Sequence, residues 1–326
     1  MNTKKLGNTD IFVTPIGMGV LTIGFSQLDL SLEKGAGIVR YAMEKGINFF
    51  DTAEYYRTYP YIRRALDELR PSFSSGALPR PVIASKSLVP GYEEMSGAID
   101  GCRKALDIDQ IDIFLLHEVL EAPDFENRAG AWACLEDARS GGRVKAIGIS
   151  THHIDVMMKA ADIPGMDVLF PLINLRGLGI RKGPGPGTSE EMVDAIRLAS
   201  DKGIGVFGMK ALGGGNLTAD YKSALDFVAG LPGITSIMIG MGSEKDVDDA
   251  VSWAEGTLPG DFLPDVSGKR MFVDQSDCIG CCACVNRCTS KAISLSPGGY
   301  AAVDNEKCVL CGYCAPVCPV RAMLLL

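Results

Sequence analysis

From about residue 35 to residue 253 the chain alternates between short apolar runs and longer segments whose apolar positions recur with helical spacing. The apolar runs predict strands, and their near-continuous hydrophobicity is typical of parallel strands covered on both faces. The predicted strands are residues 15–19, 47–50, 82–85, 111–116, 144–150, 167–171, 205–209 and 236–240. The predicted helices are residues 33–45, 61–69, 93–106, 129–140, 154–161, 189–202, 221–229 and 244–254.

Eight strand–helix units in about 250 residues predict an α/β protein with a (β/α)8 TIM barrel. The alternative is an open doubly wound sheet, but no G-x-G-x-x-G motif follows the first strand, as a dinucleotide-binding sheet of that kind would require. After residue 255 the helical and strand periods disappear among glycines, prolines and acidic residues. We therefore predict a barrel domain over residues 1–258, a linker over 259–270 and a second, small domain over 271–326.

The small domain contains nine of the eleven cysteines and repeats one pattern, C-x2-C-x2-C-x3-C, twice. The cysteines are Cys278, Cys281, Cys284 and Cys288 in the first copy, and Cys308, Cys311, Cys314 and Cys318 in the second. Three cysteines at two-residue gaps surround one face of a [4Fe-4S] cube, and the fourth reaches the neighbouring cube. The spacing therefore predicts two clusters, with Cys318 completing the first ligand set and Cys288 completing the second.

This segment resembles the bacterial two-cluster ferredoxins over residues 271–326, which implies a small α+β ferredoxin-like domain. Two positions depart from the ferredoxin pattern, since Thr289 replaces a proline and Cys282 stands where glycine is usual. Neither change removes a ligand. Zinc is the main alternative, but zinc sites are usually built from isolated CxxC pairs rather than from four cysteines in succession. Cys102 and Cys134 lie in apolar helical segments and are predicted to be buried small side chains.

Composition narrows the classes of partner. The formal net charge of −8 argues against nucleic acid, whose phosphates bind cationic surfaces. The first residues are not followed by the apolar stretch of a signal peptide, and no apolar run approaches the roughly 20 residues of a membrane-spanning helix. We therefore expect a cytoplasmic protein without a membrane partner.

Ionisable residues stand at the ends of three successive predicted strands. Asp51 follows the second strand, Lys86 follows the third, His117 follows the fourth, and Tyr56 comes shortly after Asp51. In a (β/α)8 barrel the active site is built where the strands end. One such residue alone is usually only solvated or hydrogen-bonded. Three in succession beside a tyrosine predict a catalytic group.

With these residues the chain resembles the aldo-keto reductase family over roughly residues 4–254. The family's F-D-T-A-x-x-Y motif corresponds to residues 50–56, its strand-end lysine and histidine correspond to Lys86 and His117, and residues 142–150 resemble its fifth strand. The resemblance implies that Asp51, Tyr56, Lys86 and His117 form a catalytic tetrad for carbonyl reduction or alcohol oxidation.

The resemblance also implies a role for each member of the tetrad. Tyr56 would protonate the carbonyl oxygen, and the Lys86 cation would lower its pKa from the ordinary value near 10. Asp51 would hold Lys86 in place, and a neutral His117 would orient the carbonyl. Tyr55 is the competing tyrosine, one residue short of the family spacing.

On the cofactor side the resemblance implies a nicotinamide, either NADH or NADPH. The contacts that it places on this chain are Ser150, Thr151, Met209, Lys210, Leu212, Gly240, Gly242 and Ser243. This match is weaker than that of the tetrad. Phe170 replaces a glutamine of the family, Met209 replaces an aromatic ring, and Gly242 replaces an arginine that meets the 2′-phosphate.

These features predict an oxidoreductase for a small carbonyl or alcohol substrate, with two [4Fe-4S] clusters for electron transfer. Hydride transfer moves two electrons together whereas each cluster moves one. Either a flavin or a redox partner protein, such as a ferredoxin or flavoprotein, connects them, or the cluster domain is a structural or redox-sensing appendage. One alternative is a flavin- or ferredoxin-linked reductase that uses the barrel as a scaffold. Another is a non-enzymatic redox or docking subunit.

Three segments bear on how the domains are arranged. Residues 181–187, rich in glycine and proline, predict either a mobile lid or a plain exposed connection. The short linker predicts that the ferredoxin-like domain packs against the barrel. The apolar residues 322–326 predict either contact with the barrel or closure of the small domain's own core.

Overall fold

The computed structural model describes residues 1–266 and 268–326; position 267, in the predicted linker, lies outside the described residues. The strands are β1 (Lys4–Lys5), β2 (Phe12–Val13), β3 (Ile16–Gly19), β4 (Phe49–Asp51), β5 (Val82–Ser87), β6 (Ile111–Leu116), β7 (Val144–Thr151), β8 (Val168–Pro171), β9 (Arg181–Lys182), β10 (Gly185–Pro186), β11 (Gly205–Met209), β12 (Ile234–Gly240), β13 (Met271–Val273), β14 (Ile293–Leu295), β15 (Ala301–Val303) and β16 (Met323–Leu325). The helices are α1 (Leu32–Glu44), α2 (Tyr59–Ser74), α3 (Tyr92–Leu106), α4 (Ala122–Asn127), α5 (Ala129–Ser140), α6 (Ile154–Ala160), α7 (Ser189–Asp201), α8 (Tyr221–Ala229), α9 (Glu244–Ala254) and α10 (Ala283–Arg287).

Eight strands form a closed barrel in the order β3-β4-β5-β6-β7-β8-β11-β12, and β12 pairs with β3 to complete the ring. Neighbouring strands are parallel throughout. The predicted (β/α)8 barrel is therefore confirmed, and each predicted strand is present with its ends shifted by at most two residues. All carboxyl ends of the strands meet at one rim, which is where this fold places functional groups.

The helices of the barrel agree with the predicted ones, with two differences. Helix α2 begins before and ends after the predicted residues 61–69, and Pro60 lies in its first turn, where the missing N–H is not needed for an intrahelical bond. Helix α4 was not predicted, because it is one short, largely polar turn without a clear apolar face. Among the described residues no helix is long and apolar enough to cross a membrane.

The interior of the barrel is filled. Phe49, Phe170 and Phe207 lie in its centre, and the rings of Phe170 and Phe207 stack with centroids 4.2 Å apart. A second and larger apolar layer lies between the strands and the surrounding helices. Because the centre holds side chains, a cavity of useful size is left only at a rim.

Two hairpins were not predicted. Strands β1 and β2 pair before the barrel begins, and the nearby Leu6 and Val13 join its inner apolar cluster. Strands β9 and β10 pair within residues 181–187. Nη1 of Arg181 in this second hairpin donates to the carbonyl oxygen of Pro319 at 2.8 Å. The glycine- and proline-rich stretch is therefore a hairpin that contacts the C-terminal domain.

Residues 271–326 form a small domain from two similar halves. Strand β13 pairs antiparallel with β16, and β14 pairs antiparallel with β15. Its core combines apolar side chains such as Met271 and Ile293 with the buried cysteines Cys284, Cys288 and Cys314. The cysteines thus contribute to the small hydrophobic core.

The small domain packs against the carboxyl rim of the barrel. The N–H of Leu325 donates to the carbonyl of Gly214 at 2.8 Å, and Nδ2 of Asn216 donates to the carbonyl of Met323 at 2.8 Å. Met323 belongs to the core of the small domain, whereas Leu324 and Leu325 line a cavity at the rim. The apolar C-terminus therefore has both of the predicted roles, and the predicted packing of the two domains is confirmed.

Candidate functional site

The carboxyl rim brings the four predicted catalytic residues together. Asp51 is the last residue of β4, Lys86 lies near the end of β5, and His117 directly follows β6. Tyr56 ends a short 3-10 turn, Glu54–Tyr56, that follows β4. Neighbouring parallel strands place these side chains beside one another.

Lys86 is held on three sides. Its Nζ donates to Oδ1 and Oδ2 of Asp51 at 2.7 and 2.9 Å, and to the carbonyl of Thr52 at 2.8 Å. An ammonium has three donors, so all of them are used. Burial lowers the pKa of Lys86 and raises that of Asp51, and the contact between the two opposes both shifts. We treat them as an ion pair because a buried charge persists when it is paired and fully hydrogen-bonded.

Tyr56 and His117 form the second pair of the site. The phenol oxygen of Tyr56 lies 3.2 Å from Nε2 of His117, and the two rings meet edge to face. Burial, with the Lys86 cation next in importance, lowers the pKa of His117 well below its usual value. The imidazole is therefore neutral, in agreement with the expected state. Its Nδ1 is buried without a hydrogen-bond partner among the described residues.

The pKa of Tyr56 departs from the sequence-based expectation. Burial raises it well above its usual value, and the Asp51 carboxylate adds to the effect. The Lys86 ammonium lies 4.7 Å from the centroid of the Tyr56 ring, but its donors are already bound to Asp51 and Thr52. The expected fall of the Tyr56 pKa is therefore wrong for this structure, because burial outweighs the nearby Lys86 cation, and Tyr56 is a protonated phenol.

An open cavity begins at the tetrad. It extends from Asp51 and Tyr56 past Met209 to Gly240 and Gly242, at the end of β12. The C-terminal residues of the small domain form part of its wall. The cavity is thus shared between the barrel and the small domain.

Five of the eight predicted cofactor contacts line this cavity: Met209, Lys210, Leu212, Gly240 and Gly242. The other three have hydrogen bonds elsewhere. Oγ of Ser150 accepts from the N–H of Glu118 at 2.9 Å, and Oγ1 of Thr151 donates to the carbonyl of Val119 at 2.6 Å. Ser243 caps α9 by accepting from the N–H of Asp246. A cofactor contact at these three residues stays a prediction.

Sequence reasoning missed two residues of this region. Arg128 is buried and donates to the carbonyls of His117 and Ser87 at 2.8 and 2.9 Å, which fixes the ends of two strands. Arg321 is also buried, and it enters the cavity from the small domain. Arg128 was missed because it lies next to a helix that was not predicted. Arg321 was missed because no local pattern shows that a residue beyond Cys318 reaches the barrel.

The cysteines fit the predicted clusters in their hydrogen bonds. The N–H groups of Ala301, Ala292 and Ala322 donate to Sγ of Cys278, Cys288 and Cys318 at 3.4, 3.3 and 3.2 Å, respectively. Such bonds stabilise thiolate ligands of iron–sulfur clusters. Within the described residues no three side chains of metal-binding types converge on a single ion. A [4Fe-4S] cube does not require three protein ligands on one ion, because each of its iron atoms carries its own thiolate.

The placement of the cysteines also fits an exchange of the fourth ligands. Both Cys278, from the first motif, and Cys318, from the second, lie close enough to Cys284 to interact with it electrostatically. Cys314 interacts in the same way with Cys308 and Cys311 of its own motif and with Cys284 of the first motif. Cys318 therefore stands beside the first motif although it follows the second in sequence.

The fold and the site define a (β/α)8-barrel oxidoreductase joined to an iron–sulfur domain. The sequence profile of the Aldo/keto reductase family matches residues 15–259, and that of a 4Fe-4S dicluster domain matches residues 271–325. The chain belongs to the aldo/keto reductase family and carries a C-terminal ferredoxin-like 4Fe-4S domain.

Relatives are found for both domains. Pyridoxal reductase of Arabidopsis thaliana is 24% identical over 318 residues, which cover 85% of this chain and 82% of that protein. L-galactose dehydrogenase of the same plant is 21% identical over 290 residues, 76% of this chain and 86% of its own length. A ferredoxin of Pyrobaculum islandicum is 40% identical over 55 residues, which are 17% of this chain and 51% of the ferredoxin.

Other matches are shorter or show the fold alone. The oxidoreductase YtbE of Bacillus subtilis is 38% identical over 79 residues, so that the match spans 27% of its length and 23% of this chain. Among solved structures, the holo form of the aldo-keto reductase AKR11C1 from Bacillus halodurans superposes with a TM-score of 0.65 at 17% identity, over 79% of this chain and 92% of its own. At that identity the likeness extends to the fold.

Proposed function

We propose that the chain reduces a small carbonyl compound, or oxidises the corresponding alcohol, with a nicotinamide cofactor, and that it carries two [4Fe-4S] clusters. The observation that carries the catalytic part is the contact between Tyr56 and His117 beside the Lys86–Asp51 ion pair, at the inner end of a large cavity. A proton donor, an orienting group and a buried cation meet there within reach of one ligand atom.

The four residues have different roles in the transfer of one proton. When bound, a reduced nicotinamide supplies the hydride that adds to the carbonyl carbon. Tyr56 gives its phenolic proton to the carbonyl oxygen, and His117 holds that oxygen through Nε2. Lys86 stabilises the phenolate that remains, since its ammonium lies over the Tyr56 ring. Asp51 keeps Lys86 charged and fixed in position.

The cavity leads from the tetrad towards the predicted dinucleotide contacts after β12, and its lining there disfavours a 2′-phosphate. It reaches from the tetrad to the loop after β12, where Gly242 replaces the family's arginine. A Cβ at Gly242 would lie 2.4 Å from Cδ1 of Leu28, so a side chain there would require Leu28 to move. Asp246 and Asp249 line the same region, and Lys245 is paired with Asp249. We therefore propose that NADH binds at least as well as NADPH.

We assign Cys278, Cys281, Cys284 and Cys318 to one cluster and Cys308, Cys311, Cys314 and Cys288 to the other. The N–H bonds to Sγ and the position of Cys318 near Cys284 support this assignment. Because a cluster carries one electron and a hydride two, the clusters exchange electrons with a redox partner protein or through a flavin, and they do not feed the tetrad directly.

Two measurements on protein purified without oxygen test the proposal. Iron, labile sulfide and extractable flavin are quantified, and NADH and NADPH are titrated by fluorescence. We expect about eight iron atoms per chain, no flavin, and comparable or tighter binding of NADH. Zinc in place of iron would overturn the cluster assignment, and bound flavin without nicotinamide binding would favour a flavin-linked reductase.

The catalytic part is tested with a pair of neighbouring tyrosines. We expect Tyr56→Phe to lower NADH-dependent carbonyl reduction by about 10²–10⁴-fold, the usual size of a general-acid contribution. Tyr55 is 47% exposed and does not line the cavity, so Tyr55→Phe serves as the control. The opposite ranking would show that Tyr56 is not the proton donor.

A further inference from the structure

The side chain of Arg321 crosses from the ferredoxin-like domain into the mouth of the barrel. It is 4% exposed and lines the cavity that begins at the tetrad. Two barrel glycines make room for it. A Cβ added at Gly179 would lie 2.8 Å from Cδ of Arg321, and one added at Gly214 would lie 2.7 Å from Nη1. Larger residues at either position would exclude the arginine.

Among the described residues this buried cation has no hydrogen-bonded or ion-paired partner. Its Nε is buried without a hydrogen-bond acceptor, and its side chain forms no hydrogen bond or ion pair with any described residue. Asp277, Asp274 and Cys318 attract it without a hydrogen bond, and Asp274 lines the same cavity. Lys210 lines the same cavity, is near enough to Arg321 to repel it, and likewise has no ion pair among the residues described. Two cations without a hydrogen-bonded acceptor in the described part of the chain thus share a cavity with the carboxylate of Asp274, and this arrangement favours an anionic ligand beside them.

We propose that Arg321, with Lys210 beside it, binds a carboxylate of the substrate, so that the enzyme acts on carbonyl compounds that carry an acid group, such as 2-oxo acids, or on the matching hydroxy acids. The inference rests on the proposed function and adds the class of substrate to it. The planar guanidinium offers paired donors that match the two oxygens of a carboxylate.

The position of Arg321 identifies the substrate as the source of the anion. Tyr56 and Arg321 line the same cavity, and the reacting carbonyl must lie at Tyr56. A carboxylate attached close to that carbonyl would therefore lie in the cavity that the guanidinium enters. The diphosphate of the cofactor is the other source of negative charge in this cavity, and its binding can be measured separately.

The internal repeat provides a matched control. Lys291 occupies the position in the first half that Arg321 occupies in the second, three residues after the fourth cysteine of its motif. Both residues have left-handed backbone conformations, with φ of 54° and 58°. Lys291 is exposed, whereas Arg321 is buried at the barrel. An effect on substrate binding should therefore appear when Arg321 is substituted and not when Lys291 is substituted.

The experiment compares Arg321→Gln, Arg321→Lys and Lys291→Gln with the unchanged holoprotein. Phenylglyoxylate and 2-oxopentanoate are assayed with NADH beside their methyl esters, which lack the charge. Losing a hydrogen-bonded contact to a charged group predicts that Arg321→Gln raises KM for the acids about 10- to 100-fold. It should change KM for the esters by less than about twofold, with Arg321→Lys intermediate and Lys291→Gln unchanged. Intact iron content and thermal unfolding confirm that the variants are folded.

Oxalate, which cannot be reduced, tests the binding step apart from turnover. We expect calorimetry to show oxalate binding to the unchanged protein and a loss of about tenfold or more in affinity in Arg321→Gln. If no carbonyl is reduced but oxalate binding still depends on Arg321, the proposed activity fails and the anion site stands. Equal effects on acids and esters would overturn the anion site. So would weaker NADH binding with unchanged KM for the acids, or a shifted cluster potential as the sole effect.

Discussion

The two halves of the ferredoxin-like domain share one backbone and face different surroundings. The N–H of Ala292 donates to Sγ of Cys288 in the first half, and that of Ala322 donates to Sγ of Cys318 in the second. The carbonyl of Ala292 accepts from the N–H of Asp304, and that of Ala322 accepts from the N–H of Asp274. Ligand geometry thus constrains both halves alike.

What differs is the contact made beyond the fourth cysteine. In the first half the chain continues into the exposed part of β14, whereas in the second half β16 lies against Gly214 and Asn216 of the barrel. The matching hydrogen bonds hold the backbone alike in both halves, whereas the outward side chains differ. One copy of the repeat has therefore become a wall of the barrel's cavity while the other has not.

The largest expected effect is the loss of iron in cysteine variants, which tests whether the two halves exchange their fourth ligands. If they do, Cys278→Ala and Cys318→Ala damage the same cluster, and the double variant should still hold about four of about eight iron atoms. The double variant Cys278→Ala/Cys288→Ala should lose both clusters, because its two changes strike different ones. Iron analysis and paramagnetic resonance of the reduced protein provide the measurement. The opposite pattern would show that each motif holds its own cluster.

The second prediction breaks the contact that distinguishes the halves. Gly214 has φ +66°, and a Cβ there would lie 2.5 Å from Cδ2 of Leu324. Gly76 has φ +75° with nothing within 4 Å, so Gly76→Ala carries the backbone strain without the collision. Beyond a shared strain of about 1 kcal/mol, Gly214→Ala should destabilise the docked state by about 1–3 kcal/mol.

Thermal unfolding and limited proteolysis measure this difference. We expect Gly214→Ala to unfold at a lower temperature than Gly76→Ala and to be cut faster in residues 259–270. Equal behaviour of the two variants would mean that docking at Gly214 contributes little to the stability of the protein.

Part of this structure could be predicted from local patterns in the sequence. The strands were predicted because buried parallel strands are almost wholly apolar, and the cluster ligands because their spacing is local. Asp51, Lys86 and His117 each end a strand, so a fold-level rule was enough to bring them together.

The missed features depend on contacts between distant segments. Arg321 looks like an ordinary surface cation until the small domain is placed against Gly179 and Gly214. The pKa of Tyr56 was expected to fall, because the sequence shows that Lys86 is near but not that Asp51 and Thr52 take all its donors. Burial and donor counting are properties of the packed structure.

The third prediction concerns Lys210, the barrel cation that lies near Arg321 of the second half. Burial and the nearby Arg321 lower the pKa of Lys210 to about 8, while Asp277, Asp274 and Glu118 act in the opposite sense. The Lys210 cation is thus present below about pH 8 and is lost as the pH rises through that value. Oxalate affinity should therefore fall above about pH 8, and Lys210→Gln should remove most of this pH dependence. A flat profile in the unchanged protein would exclude Lys210 from the anion site.

The smallest expected effect lies where the halves differ in a single backbone position. Cys282 has φ +61°, and its counterpart in the second half, Gly312, has φ +73°. A residue with a side chain is strained in that conformation by about 1 kcal/mol, whereas glycine adopts it freely but is more flexible when unfolded. Cys282→Gly should therefore leave stability unchanged or raise it by up to about 1 kcal/mol, with full iron content.

The reciprocal change, Gly312→Cys, completes this last comparison. A Cβ at Gly312 would meet nothing within 4 Å, so strain alone should act, and the variant should lose about 1 kcal/mol. Thermal unfolding of both proteins, loaded with their clusters, gives the two values. Because both cluster ligand sets are complete without Cys282, neither change should alter the iron count. A loss of iron in Cys282→Gly would instead make Cys282 a ligand and break the equivalence of the two halves.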